Sequence, residues 1–154
     1  MIFIQENFLS ENQCNELIEL YNFNESMPYQ YRDTYPLIVT NTHIQWVEDI
    51  HKKVEFMCKK FTNISIKLDK CEIVKWPKGS CQEYHYDPDT DIFAVIIYLN
   101  DNFDGGNTCF KFNPEIKITP ESGKCLVFSN SIHLHKVEEV KNNTRYTLAY
   151  WFIR

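Results

Sequence analysis

The sequence predicts a mainly β chain with N-terminal helices, folded as a jelly-roll barrel with two helices packed on its major sheet. Three observations carry this reading. Helical periodicity ends near Phe61, everything from Ser65 onward runs in short β-branched and aromatic stretches, and Asn, Asp, Gly and Pro separate those stretches. Two helices followed by many antiparallel strands fit most economically as one sheet covered by helices on one side and closed by a second sheet on the other.

The elements follow in order. A short strand is expected over 2–6. Ser10-Glu-Asn-Gln13 fits a capping box, and Cys14, Leu17, Ile18 and Tyr21 then recur at helical spacing, which predicts a helix over 11–21. After a strand over 30–39, a second helix opens near Thr42 and sets Ile44, Val47, Ile50, Val54, Met57 and Phe61 along one side. Further strands are expected over 66–76, 82–87, 93–99, 107–112, 124–128, 133–138 and 145–153. With 154 residues and no linker or repeat, the chain is expected to be one domain, 1–154, with helical support over about 10–61 and a barrel core over about 65–153.

Composition narrows the function. A net charge of -5, with dispersed Lys and Arg, lacks the basic patch that nucleic acid requires. The start, Met1-Ile-Phe-Ile-Gln-Glu, carries no basic n-region, and no apolar run reaches membrane-spanning length, so no membrane role and a cytoplasmic setting are expected. Six cysteines without a C-x-x-C pair read as buried thiols of a reducing compartment. The sequons at Asn24, Asn63 and Asn142 then read as chance in an Asn-rich chain.

His85-Tyr86-Asp87 places an imidazole and a carboxylate two apart on a predicted strand, where alternation points both to one face. Two His and one carboxylate form the facial set that holds iron(II) in oxygenases, and these two residues supply two of the three. An H-x-D pair alone is equally a pair of solvated polar residues, so the third ligand decides. His135 stands on a later strand, followed by turn residues Asn142-Asn143 and by Arg145-Tyr-Thr-Leu-Ala-Tyr-Trp-Phe152. A hairpin turned near Lys141 would put His135, Val137, Arg145, Thr147 and Trp151 on the inner face, and Leu148, Tyr150 and Phe152 toward the helices. An arginine aimed into a barrel calls for an anion, for which its planar fork is a bidentate partner.

Together these residues resemble the iron(II)- and 2-oxoglutarate-dependent dioxygenases, in particular the prolyl 4-hydroxylase-like branch, over nearly the whole chain. Asn7-Phe-Leu-Ser10 resembles that branch's opening segment, and Trp76-Pro-Lys-Gly79 its approach to H-x-D. Tyr98-Leu-Asn-Asp101 with Gly105-Gly-Asn-Thr-Cys-Phe110 resembles its Y-L-N and G-G-x-T-x-F elements. Pro120-Glu-Ser-Gly123, Phe128, His135-Lys-Val137, Val140 and Arg145 resemble its closing motif. All four glycines fall on motif turns.

The resemblance implies a double-stranded β-helix, a cupin-like barrel, in which His85, Asp87 and His135 ligate Fe(II) as the catalytic centre. It implies that Arg145 and Tyr98 hold the distal carboxylate of 2-oxoglutarate, with Thr147 and Trp151 lining the same pocket. Trp76 stands where the branch usually carries a Tyr that touches the cosubstrate, and an indole offers only a donor there. His133 shares the predicted strand parity of His135, but the steps to Val137 and Arg145 favour His135; His133 reads as a nearby polar residue. The implied activity is a dioxygenase using Fe(II), 2-oxoglutarate and O2, with ascorbate as a candidate auxiliary reductant. It hydroxylates an unactivated C–H bond of a peptidyl proline or similar residue and releases succinate and CO2. Asp91-Ile-Phe-Ala94 replaces a basic residue that often contacts peptide in this branch, so two alternatives stand beside it: the same chemistry on a free amino acid, small metabolite or nucleobase, and a cupin-like module that binds without turnover.

Overall fold

The computed structural model describes residues 1–154. In chain order its elements are β1 (Ile2–Gln5), α1 (Glu11–Phe23), β2 (Tyr35–Ile38), α2 (Gln45–Thr62), β3 (Lys67–Trp76), β4 (Gln82–His85), β5 (Phe93–Tyr98), β6 (Asp104–Gly105), β7 (Thr108–Phe110), β8 (Ile116–Ile118), β9 (Cys125–Phe128), β10 (His135–Val137), β11 (Val140–Lys141) and β12 (Arg145–Ile153).

The capping box forms as expected: Gln13 N–H donates to Ser10 Oγ at 3.1 Å and Ser10 N–H to Gln13 Oε1 at 3.0 Å. α1 then buries Cys14, Leu17 and Tyr21. α2 begins three residues later than the apolar spacing suggests, because Ile44 at its N-cap offers no side-chain acceptor and Thr42 Oγ1 accepts the Ile44 N–H from outside the helix at 3.3 Å. It ends at Asn63 in the left-handed region, φ 49°. Phe61, expected on the buried stripe, is 40% exposed and lies against the Phe3 ring.

A six-stranded sheet runs β1-β9-β5-β12-β3-β2 and a four-stranded sheet β4-β10-β7-β8, with a two-stranded ribbon β11-β6 beside them. The two larger sheets share no hydrogen-bonded pair, so the jelly roll is two facing sheets and not a closed barrel. β12 lies at the centre of the larger sheet, between β5 and β3. Its Leu148, Tyr150 and Phe152 join Leu17, Val54 and Met57 of the helices in the main core. Its Arg145, Thr147, Ala149 and Trp151 face the second sheet. A single strand thus serves the core with one face and the site with the other.

The inner-face assignment stands, but not by the expected hairpin. β10 pairs with β4 and β7, and no pairing joins it to β12; residues 140–141 are drawn instead to β6. The expected strand over 133–138 starts only at His135, because residues 130–133 make a turn in which His133 N–H donates to Ser129 O at 3.1 Å, so the shared parity of His133 and His135 lapses. β4 stops at His85, leaving Asp87 just past the strand end, before Pro88, which has no N–H to continue a ladder. β2 is shorter than the expected 30–39, since Tyr31 and Thr34 close a turn with mutual backbone bonds of 3.0 Å. β6, β8 and β11 span two or three residues, too few for a periodicity to register.

Gly123, at φ +84°, receives the Phe8 and Leu9 N–H groups on its carbonyl at 2.8 and 3.3 Å. A Cβ there would stand 2.2 Å from Leu9 O, so only glycine lets the entry of α1 lie against the turn that precedes β9. No helix is long and apolar enough to cross a membrane, and all six cysteines are free thiols.

Candidate metal centre

β4 and β10 pair with His85 directly opposite His135. Cross-strand partners project to one face, and the two rings lie 4.3 Å apart, tilted by 57°. Asp87 is brought to them from the segment after β4: its N–H donates to Asn130 O at 3.3 Å, and its Oδ2 accepts from Asn130 Nδ2 at 3.1 Å and Trp151 Nε1 at 3.2 Å. Its Oδ1 is thereby turned to His85 Nε2 at 3.3 Å and His135 Nε2 at 3.5 Å. One ligand atom from each residue lies within 4.8 Å of the other two.

The tautomers follow from the second nitrogens. His85 Nδ1 is 2.7 Å from Glu83 O and His135 Nδ1 is 2.8 Å from His133 O. A carbonyl oxygen only accepts, so each Nδ1 carries the hydrogen and each Nε2 presents a lone pair to the Asp87 carboxylate. Three acceptors converging on one point require a proton or a cation between them, and a divalent cation satisfies all three at once. Burial raises the Asp87 carboxyl, but positive charge at His135 and His85, whether a shared proton or a cation, together with the Asn130 amide outweighs it and holds the group well below the usual carboxylate range.

Deeper in the same cavity, Arg145 stands opposite Trp76 in the β12–β3 register and is 2% exposed. Its guanidinium lies 4.7 Å from the Trp76 ring centre and 5.4 Å from that of Tyr98, and Nη2 donates to Thr108 Oγ1 at 3.5 Å. Burial pulls its pKa down to about 10, opposed by the Tyr98 hydroxyl, so it stays cationic at neutral pH. Arg145 Nε and Trp76 Nε1 have no hydrogen-bond partner although both are buried. Two orphaned donors and an unpaired cation fit an anionic ligand. Gly106 makes the room: a Cβ there would stand 2.9 Å from Arg145 Cδ.

A cavity of about 390 Å³ is lined by His85, Asp87, His135, Arg145, Thr147, Trp151 and Trp76. Tyr98 is fully buried behind that wall and reaches it through a 2.7 Å hydrogen bond to Thr108 Oγ1. Thr147 sits in register between Tyr98 and Val74. His133 turns away, its Nε2 2.7 Å from the Met1 amino group. Sequence spacing missed Asn130 and Thr108: one acts from a turn and the other from a three-residue strand, and neither has a periodic signature.

A model of the 2OG-Fe(II) oxygenase superfamily matches residues 71–153, from within β3 through β12. A protein of Acanthamoeba polyphaga mimivirus, named as a candidate prolyl 4-hydroxylase, is 23% identical over 97% of this chain and 73% of its own length. Among solved structures, a Trichoplax adhaerens prolyl hydroxylase in complex with a peptide fragment of the hypoxia inducible factor oxygen degradation domain superposes with a TM-score of 0.86 at 19% identity, covering 99% of this chain and 83% of that one. The viral collagen prolyl hydroxylase of Paramecium bursaria Chlorella virus-1 gives 0.82 at 18%, covering 99% and 94%. At these identities the structural likenesses establish the jelly-roll fold, while the family match spans more than half the chain and includes all three converging donors. The chain belongs to the 2OG-Fe(II) oxygenase superfamily, enzymes that use Fe(II), 2-oxoglutarate and O2, and it is similar to prolyl 4-hydroxylases within it.

Proposed function

We propose that this oxygenase hydroxylates a C–H bond of a prolyl or similarly exposed residue in a peptide or protein, with release of succinate and CO2. The observation that carries the reading is that the acceptor set His85, Asp87 and His135 and the unpaired cation Arg145 open onto one cavity, whose rim holds Tyr29, Tyr31 and Tyr86. Aromatic rims suit extended, proline-containing chains, and the named relatives are prolyl hydroxylases.

In this reading His85, Asp87 and His135 hold Fe(II), and Arg145 holds the distal carboxylate of 2-oxoglutarate with Trp76, Thr147 and the Tyr98–Thr108 pair around it. Bound iron and 2-oxoglutarate supply the oxidising chemistry at the C–H bond. The residues of the chain do the rest. Glu83 O and His133 O fix the two imidazoles in the ligating tautomer, and Asn130 and Trp151 aim the Asp87 carboxylate. Trp151 is therefore a positioning residue, since its one donor is committed to Asp87. Val74, Ile96, Phe128 and Ala149 give the cavity apolar walls that exclude bulk water.

The test is incubation with Fe(II), 2-oxoglutarate, ascorbate as auxiliary reductant and proline-containing peptides. The expected result is succinate release together with a one-oxygen mass gain on the peptide. Peptides that all stay unmodified while a free amino acid or other metabolite stimulates succinate release would transfer the reading to a small-molecule substrate.

A further inference from the structure

Resting on the oxygenase reading above, we propose that the stretch of this cavity between its tyrosine rim and Arg145 is a subsite for a cationic group of the substrate, an amine or guanidine, held by Glu72 and Asp91. Glu72 lies in the middle of β3, opposite Ala149 of β12, and lines the cavity although it is 2% exposed. Both of its contacts fall on one oxygen: Oε1 accepts from Tyr29 Oη at 2.5 Å and lies 3.6 Å from Lys70 Nζ. Oε2 makes no hydrogen bond within the protein, yet it is not sealed from the cavity. Asp91, just ahead of β5, is 8% exposed and lines the same cavity, and its carboxylate has neither a hydrogen bond nor an ion pair.

A buried carboxylate oxygen left without a hydrogen bond is unfavourable, and Glu72 Oε2 and the Asp91 carboxylate both line this cavity in that state. Burial, with Asp69 and Asp87 nearby, pushes the Asp91 carboxyl up, and the positive charge of Lys70 offsets this only in part. The cations already present fill the role only in part. Lys70 pairs with Glu72 Oε1 at 3.6 Å, but it rests over the Trp151 ring at 4.4 Å with its side chain 42% exposed and leaves Glu72 Oε2 and the Asp91 carboxylate without a hydrogen bond. Arg32 lies against the Tyr31 ring, and Arg145 is at the far end of the wall.

The location is the right one for a substrate group. Trp151, which bonds Asp87, pairs in register with Lys70, and Glu72 stands one inward-facing pair deeper, opposite Ala149. Ala149, opposite Glu72, lines the same cavity with only a methyl group. A purely structural Glu72, anchoring Tyr29, would account for Oε1 but not for Oε2 or for Asp91.

The test uses the iron-loaded full chain, 2-oxoglutarate and two probe sets: ten-residue peptides with one central proline followed by Lys, norleucine or Glu, and free lysine against free norleucine. Succinate release gives kcat/KM and mass spectrometry gives the product. A charge-assisted hydrogen bond supports a preference of at least about tenfold for the lysine probe over its norleucine isostere. Glu72→Gln and Asp91→Asn should each erode that preference, and Glu72→Lys should turn it toward the Glu peptide. Tyr29→Phe, which removes the anchor and keeps both carboxylates, should preserve it. Equal responses to lysine and norleucine in both sets, including none, overturn the inference, as does a preference that survives both neutral variants. Peptides hydroxylated without regard to charge would remove this subsite and keep the peptide reading; free lysine responding while no peptide does would do the reverse.

Discussion

Trp151 Nε1 donates to Asp87 Oδ2 at 3.2 Å, joining the middle of the larger sheet to the segment that follows β4. The hydrogen bond selects which carboxylate oxygen faces the histidines, so it bears on metal affinity from outside the ligand set.

Trp151→Phe should therefore keep the fold and weaken metal binding. Loss of an outer partner of a metal ligand typically costs about 10-fold to 100-fold in affinity. Anaerobic titration with Fe(II), or with Co(II) as a spectroscopic stand-in, checks this, and an unchanged affinity would reduce Trp151 to a wall residue.

The two histidines of the Ile132–His135 segment should part company. His135→Ala should abolish metal binding, whereas His133→Ala should retain it, because the His133 ring points to the chain start and only its carbonyl serves the site. The reverse result would mean that the wrong imidazole has been assigned.

Arg145→Ala should weaken 2-oxoglutarate binding and leave metal affinity near that of the unaltered protein. Truncating one member of a buried charge pair costs about 2 to 5 kcal/mol, or at least an order of magnitude in affinity. Arg145→Lys should fall between, keeping charge and losing the fork. Calorimetry on the metal-loaded, oxygen-free protein reads both, and equal 2-oxoglutarate affinity in all three proteins would refute the role.

Stability should fall with acid through His51, which ties α2 to the sheet. Its Nε2–H donates to Val39 O at 3.0 Å, and its Nδ1 accepts from Tyr150 Oη at 2.8 Å. Burial lowers its pKa below the ordinary value of 6.5. The unfolded chain thus takes up the proton first. The contribution of His51 is complete above the unfolded pKa and is lost as pH drops below it toward the folded value. Urea unfolding at pH 7.5 and pH 5 should show this loss, and His51→Gln should shrink it; an identical loss in the variant would place the acid sensitivity elsewhere.

Much of this arrangement was legible in the residues. The capping box at Ser10, the 145–153 strand and the opposed faces of Leu148 and Thr147 all follow local periodicity, and the structure keeps them. The partner of β10 was not legible. Residues 135–153 read as a hairpin, but pairing is decided by the sheet each strand joins, and His135 finds His85 some fifty residues away. Asn130 and Glu72 were equally silent, the first because it acts from a turn, the second because a lone acidic residue in a strand carries no sign of which way its second oxygen will face.

The turn over 130–133 does more than reverse the chain. Asn130 grips Asp87 by both side chain and carbonyl, and three residues later the His133 carbonyl sets the ring of His135. One ligand from β10 and one from the segment after β4 are thus gauged against one short piece of backbone, much as a jig holds two workpieces at a fixed offset. An inserted or deleted residue there would shift both grips in one stroke, so a loop that looks free to vary in length is held to one length by the two ligands it sets.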